Sequence, residues 1–288
     1  MATAFDQGIA WLREHRDEFS PRQGRDAYET VLLLKPFSEL VLVLCLLRRI
    51  TPGREFADML EWAWSECESG TMLFRLLAAR PDLIDVAGIA ASFEEVGYAS
   101  NRLKRLVGEV SRLTATRAVE APNWRRIALR YSLTKLGTEC GPSEDGDRSW
   151  LQSRPEPWMI SDGSAYAVTH EVFYRTDFGA EPAALGEDVT RYLALWLPPW
   201  TRSFAEEENW DLVAELLLSA RFVGVYGHAA FPHVEALRAA QREDGSFAGP
   251  AGAGRGLLHV DHAPVRRRFL SCYHTTLVAV LALAYCRS

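Results

Sequence analysis

Apolar residues recur with helical periodicity along the whole chain, and almost nothing in it reads as a strand. No long stretch alternates apolar with polar residues, and no Asn-Gly or Asp-Gly pair sits between β-branched runs. Asp145 and Asp244 each precede a glycine, but in loop contexts. With 288 residues, 48% hydrophobic and 24% charged, the chain is long enough to bury a sizeable core. The pattern therefore predicts an all-α globular fold.

Helices are expected over 4–18, 26–49 (with Pro36 a candidate bend), 55–67, 71–80, 83–95, 101–116 and 123–136. They resume over 161–177, 184–197, 206–225, 228–242 and 267–285. Short links make sequence neighbours antiparallel hairpins. An α/α toroid, with six inner and six outer helices, and a helical-repeat solenoid both satisfy this. The lack of a repeat of fixed length favours the toroid. The reading is an α/α toroid of about twelve helices, one helical domain over 1–288, with a long loop at 137–160 and a Gly-rich loop at 245–264. The first loop can equally divide two helical subdomains. In the second, GPAGAGRG lacks both the preceding strand and the following Lys-Ser/Thr that a phosphate loop needs.

The formal net charge of −6 argues against a nucleic-acid partner. Only Lys35, Lys104 and Lys135 are lysines among 32 basic residues, which reads as GC-rich coding more than a binding signature. Cys45, Cys67, Cys140, Cys272 and Cys286 are odd in number and show no CxxC spacing. They are expected to be reduced, as in a cytoplasmic protein. The charged, amphipathic start MATAFDQGIAWLREHRDEF has no apolar signal core, so no leader is expected. The longest apolar runs, Leu40–Leu47 and Leu277–Tyr285, are short for a bilayer, so no membrane span is expected.

Six of the seven histidines lie beyond residue 169, so that half is where chemistry is sought. In AYAVTHEVFYRTDFG, His170, Tyr174 and Asp177 fall at i, i+4 and i+7 on one helix face. A His and an Asp so placed suit a shared metal ion or an acid–base pair. A satisfied core histidine and a surface acid are the plain alternative. His274 heads the apolar helix of CYHTTLVAVLALAYC, a position for a ligand, a base or a hydrogen-bonded core residue. Asp211 and Glu215 stand i, i+4 in ENWDLVAELLLSA, as a metal or acid–base pair or as a solvated face. Trp196, Trp200 and Trp210 are candidates to line an apolar cavity, or simply core.

CYHTTLVAVLALA resembles the YHT-plus-apolar-helix segment of protein prenyltransferase β subunits, whose histidine there is a zinc ligand. Gln241, Asp244, Gly245, Ser246 and Phe247 in LRAAQREDGSFAGP are similar to the Gln-x-x-Asp-Gly-Ser-aromatic repeat of α/α-toroid terpenoid cyclases and prenyltransferases. The likeness covers roughly 237–286, and the Asp-x-Cys partner segment of the prenyltransferases is missing. THEVFYRTDFG with CYHTT also resembles an actinobacterial family placed by pattern and not by function.

The expectation is a cytoplasmic enzyme of bacterial specialised metabolism, a cyclase or transferase acting on a hydrophobic small molecule or peptide. His170, Asp177, Tyr174 and His274 are its catalytic candidates. His170, Asp177 and His274 would hold zinc if a metal is used, and Asp211 and Glu215 stand behind them. The rival expectation is a non-catalytic helical module that binds a peptide or protein.

Overall fold

The computed structural model describes residues 2–51, 56–118, 120–138, 149–227, 230–250, 253 and 264–286. The class is all-α. Among the described residues there are helices and short 3-10 turns but no strand, and one isolated antiparallel bridge joins Gln241 to Phe247. By packing, the chain divides into two compact units, the first Met1–Phe19 with Trp150–Ser288 and the second Ser20–Ser149. The boundary falls inside the loop expected at 137–160, of which 139–148 lie outside the described residues. So does most of the Gly-rich loop expected at 245–264.

The first unit opens with α1 (Ala4–Glu14), started by a reciprocal Thr3–Asp6 capping box. The second unit carries α2 (Ala27–Ile50), α3 (Ala57–Glu66), α4 (Thr71–Ala79), α5 (Val86–Glu95), α6 (Asn101–Ser111), α7 (Thr114–Arg117) and α8 (Asn123–Lys135). There α5 lies between α2 and α8. The first unit resumes with α9 (Trp150–Ser153), α10 (Asp162–Arg175), α11 (Glu187–Glu206), α12 (Trp210–Phe222), α13 (Phe231–Ala239), α14 (Pro264–Leu270) and α15 (Tyr273–Tyr285). Among the described residues, the units carry eight and seven α-helices.

α2 runs unbroken through Pro36 and is the one described helix long and apolar enough to cross a membrane, which the shorter runs considered in the sequence did not suggest. Most of its apolar window is buried, with α5 and α3 packed against it.

The first unit is organised around α12, whose sequence WDLVAELLLSARF is apolar on nearly every side. Such a helix has to be surrounded, and α10, α11, α13 and α15 all pack on it. α15 is just as apolar, and α1 covers it, with Gly8 against Val280; Trp11 of α1 stacks on Phe269 of α14 at 5.9 Å. The row α10–α12–α15 results.

The Gln-Asp-Gly-Ser-Phe segment braces this row. Gln241 Nε2 donates to the carbonyls of Ala4 (2.8 Å) and Gly245 (2.9 Å). Asp244 accepts from the Ser246 backbone and hydroxyl and pairs with Arg268 at 2.7 Å. Phe247 is fully buried, and its backbone N–H donates to Thr276 Oγ1 in the first turn of α15. The expected single helix over 267–285 is instead interrupted at Ser271–Cys272, which puts His274 in a helix first turn.

Candidate functional site

α12 presents Asp211 and Glu215 one turn apart. Asn209 caps the helix by accepting from Leu212 N–H, and Asp211 follows in the first turn, where the helix dipole favours an anion. Both carboxylates are buried, with side chains only 4% and 1% exposed. Carboxylates at such depth need donors or counter-charges, and the flanking helices supply them.

Asp211 is held from both sides. From α15, His274 Nδ1 approaches Oδ1 at 2.8 Å and Thr275 Oγ1 donates to the same oxygen at 2.7 Å. From α10, the Tyr166 hydroxyl donates to Oδ2 at 2.6 Å. Burial pushes the Asp211 carboxyl up, but the His274 charge and the hydrogen bonds from His274, Tyr166 and Thr275 outweigh it and hold it down, at about 2. Tyr166 moves the other way. Burial, the Asp211 and Glu215 charges and its bond to Asp211 push its phenol far above the ordinary tyrosine range, so it stays a neutral donor.

Glu215 sits between two histidines. His274 Nε2 is 3.9 Å from Oε1, and His170 Nδ1 is 3.7 Å from Oε2. Thr169 donates its hydroxyl to Oε2. His170 Nδ1 also lies 2.8 Å from the Tyr166 carbonyl one turn back. The two imidazoles are the open part of the cluster, 22% and 26% exposed above buried carboxylates. One ligand atom each from Asp211, Glu215 and His274 lie within 4.8 Å of one another, a set able to hold a metal ion.

His170 and His274, 104 positions apart in the chain, are thus brought to the two oxygens of one carboxylate. Asp177 is not in this group. It lies beyond the end of α10 with φ +46°, seven positions after His170, and the set able to hold a metal takes its carboxylates from Asp211 and Glu215. The metal-capable set therefore differs from His170, Asp177 and His274. Tyr174 keeps its ring 6.4 Å from His170 and packs on Phe178, while Tyr166, one turn the other way, makes the polar contact. Thr169 and Thr275 are further members that sequence reading did not single out. Glu171 faces elsewhere, paired with Arg175 at 2.7 Å.

Trp200 is a core residue whose indole N–H donates to the Pro157 carbonyl. His15 stacks on Trp11, and His228, His259 and His262 lie outside the described residues. The cysteines Cys45, Cys67, Cys272 and Cys286 are free, and burial pushes all four thiols up, Cys67 to about 12 and Cys272 to about 11. A protonated thiol is a poor nucleophile and metal ligand.

No curated protein and no solved structure matches the chain. One family model does, described as a domain of unknown function, DUF6895, and it spans residues 5–284. The chain, with its carboxylate–histidine cluster, belongs to the DUF6895 family.

Proposed function

We propose that the chain is an enzyme of the cyclase or transferase type, with the Asp211–Glu215–His274 group as a divalent-cation centre of the zinc class and His170 beside it. The carrying observation is that two buried carboxylates on one helix meet imidazoles from two other helices. Burying charge is costly and rarely repaid in stability, so a cluster of this kind supports a chemical role over a passive binding face. Carboxylate oxygen and imidazole nitrogen are ligands that zinc accepts. Bound there, the cation would supply Lewis acidity, lowering the pKa of a thiol or water that attacks the substrate.

The chain's own residues account for the rest. Tyr166, Thr169 and Thr275 fix the carboxylates by hydrogen bonds, and the part-exposed His170 and His274 mark the side from which substrate arrives. The substrate class proposed is a hydrophobic small molecule or peptide, since Tyr166, Phe173 and Tyr174 surround His170 with aromatic rings. The setting proposed is the cytoplasm, consistent with free cysteines. A second, metal-free reading has specific support. The 2.8 Å His274–Asp211 contact is the pairing of a general base with its orienting acid.

Elemental analysis of untagged protein tests the metal. The expected result is about one zinc per chain, lost in Glu215→Gln and His274→Ala. Absence of metal in the wild type leaves the acid–base reading. Untargeted metabolite turnover in a cell extract tests the enzyme: conversion by wild type and not by His274→Ala is expected, and identical profiles for the two would sink the enzymatic reading.

A further inference from the structure

We infer that Asp211 is a positioning residue and not a ligand of the cation: it fixes the tautomer and aim of His274 so that Nε2 faces Glu215, whose carboxylate is the ligand. The inference rests on the cation reading above and refines it.

Asp211 spends its oxygens on the protein. Oδ1 takes His274 Nδ1 at 2.8 Å and Thr275 Oγ1 at 2.7 Å, and Oδ2 takes the Tyr166 hydroxyl at 2.6 Å. A carboxylate offers about four acceptor sites, and three are filled in directions set by α10 and α15. An ionised carboxylate only accepts, so the proton in the His274–Asp211 bond belongs to Nδ1. When that ring is neutral its lone pair is on Nε2, the form that ligates a metal. A histidine whose other ring nitrogen donates to a carboxylate is the usual outer-shell arrangement around zinc.

Glu215 is placed differently. Its Oε1 lies 3.9 Å from His274 Nε2, beyond hydrogen-bond length. Two bonds of about 2.1 Å at a tetrahedral angle hold such atoms about 3.4 Å apart, so the pair would close slightly on a bound cation. The other oxygen accepts from Thr169, so Oε2 is the handle and Oε1 is the oxygen that faces His274 Nε2. His170 follows the same logic, since its Nδ1 lies against the Tyr166 carbonyl at 2.8 Å.

The test uses full-length protein and two readouts. The first is titration with Zn²⁺ and Co²⁺, reading affinity and the Co²⁺ visible spectrum. Asp211→Asn should weaken binding about 10- to 100-fold, the range for outer-shell changes, with the coordination number in the spectrum unchanged. Glu215→Gln should abolish binding. Tyr166→Phe, which removes one of the clamps on Asp211, should weaken binding less than Asp211→Asn does. The second readout is the ¹⁵N spectrum of the metal-free His274 ring. It should show the Nδ1–H tautomer in wild type and lose it in Asp211→Asn. Loss of binding in Asp211→Asn as complete as in Glu215→Gln, with one ligand fewer in the Co²⁺ spectrum, would make Asp211 a ligand and overturn the inference. So would an Nε2–H tautomer in the wild type. If wild type binds neither cation, the cation reading fails by itself, and the tautomer still decides whether Asp211 fixes His274.

Discussion

Single residues in this protein are governed by what burial does to a polar or strained group. Gly245 has φ +88°, and a Cβ there would lie 2.5 Å from the Gln7 carbonyl oxygen. Gly245→Ala should therefore lower stability by about 1–3 kcal/mol from the backbone alone, more with the clash, seen as a lower urea midpoint with unchanged slope. The buried thiols predict chemistry as well. With Cys67 pushed up to about 12 and Cys272 to about 11, neither should react with iodoacetamide at pH 8 in the folded protein, and both should react once it is denatured. Fast labelling of Cys272 in the native state would contradict its protonated state. Asp211 gives a pH dependence whose sign follows from its depressed value. Its contribution to stability is fully present above the unfolded carboxyl range near pH 4 and is lost as pH falls through about 2. The stability gap between wild type and Asp211→Asn should close on acidification, measured by denaturant unfolding at stepped pH. At this scale the histidines were legible because they cluster in the sequence. Tyr166 stands four residues before His170 on the same face as Tyr174, and nothing in the sequence sets it apart from Tyr174.

Elements were legible where local signals and packing agree. α2, α8 and α10 lie within a few residues of the helices expected from periodicity. α11 differs: it was expected to stop at 197, before Pro198 and Pro199, yet it continues to Glu206. Prolines inside a helix cost about 3 kcal/mol each. The continuation buries Trp200, Thr201 and Phe204, and the Trp200 indole bonds the Pro157 carbonyl. Burial of large apolar side chains, about 1.5–3 kcal/mol each, offsets the penalty. The start of α10 predicts a measurable link between cap and site. Ser161 accepts from Ser164 N–H, and Ser164 Oγ accepts from Ser161 N–H in return. Ser161→Ala should cost about 0.5–2 kcal/mol. It should also loosen the first turn, so amide exchange at Tyr166 should rise more than at Glu215.

At the scale of the whole molecule, the first 19 residues belong with the C-terminal half, not with the helices that follow them. Phe19 packs edge-on against Phe269 and Tyr273, and Trp11 stacks on Phe269. Deleting residues 1–19 should uncover this face of α14 and α15. A fall in the melting temperature read by circular dichroism is expected, and an unchanged melting curve would show that α1 adds nothing to the unit. Local sequence determined the all-α class, because apolar periodicity and the absence of strand patterns are properties of neighbours in the chain. It also directed attention to the C-terminal half, where six of the seven histidines lie. Only tertiary structure decided which carboxylates the histidines meet. Asp177 stands two turns after His170 in the sequence and reads as its partner, whereas Asp211 and Glu215 read either as a metal or acid–base pair or as a solvated face. The packing of an all-round apolar α12 between α10 and α15 turned that face inward. Side-chain spacing along one helix fixes a face but not what the face meets, and that is set by which apolar helices must bury one another.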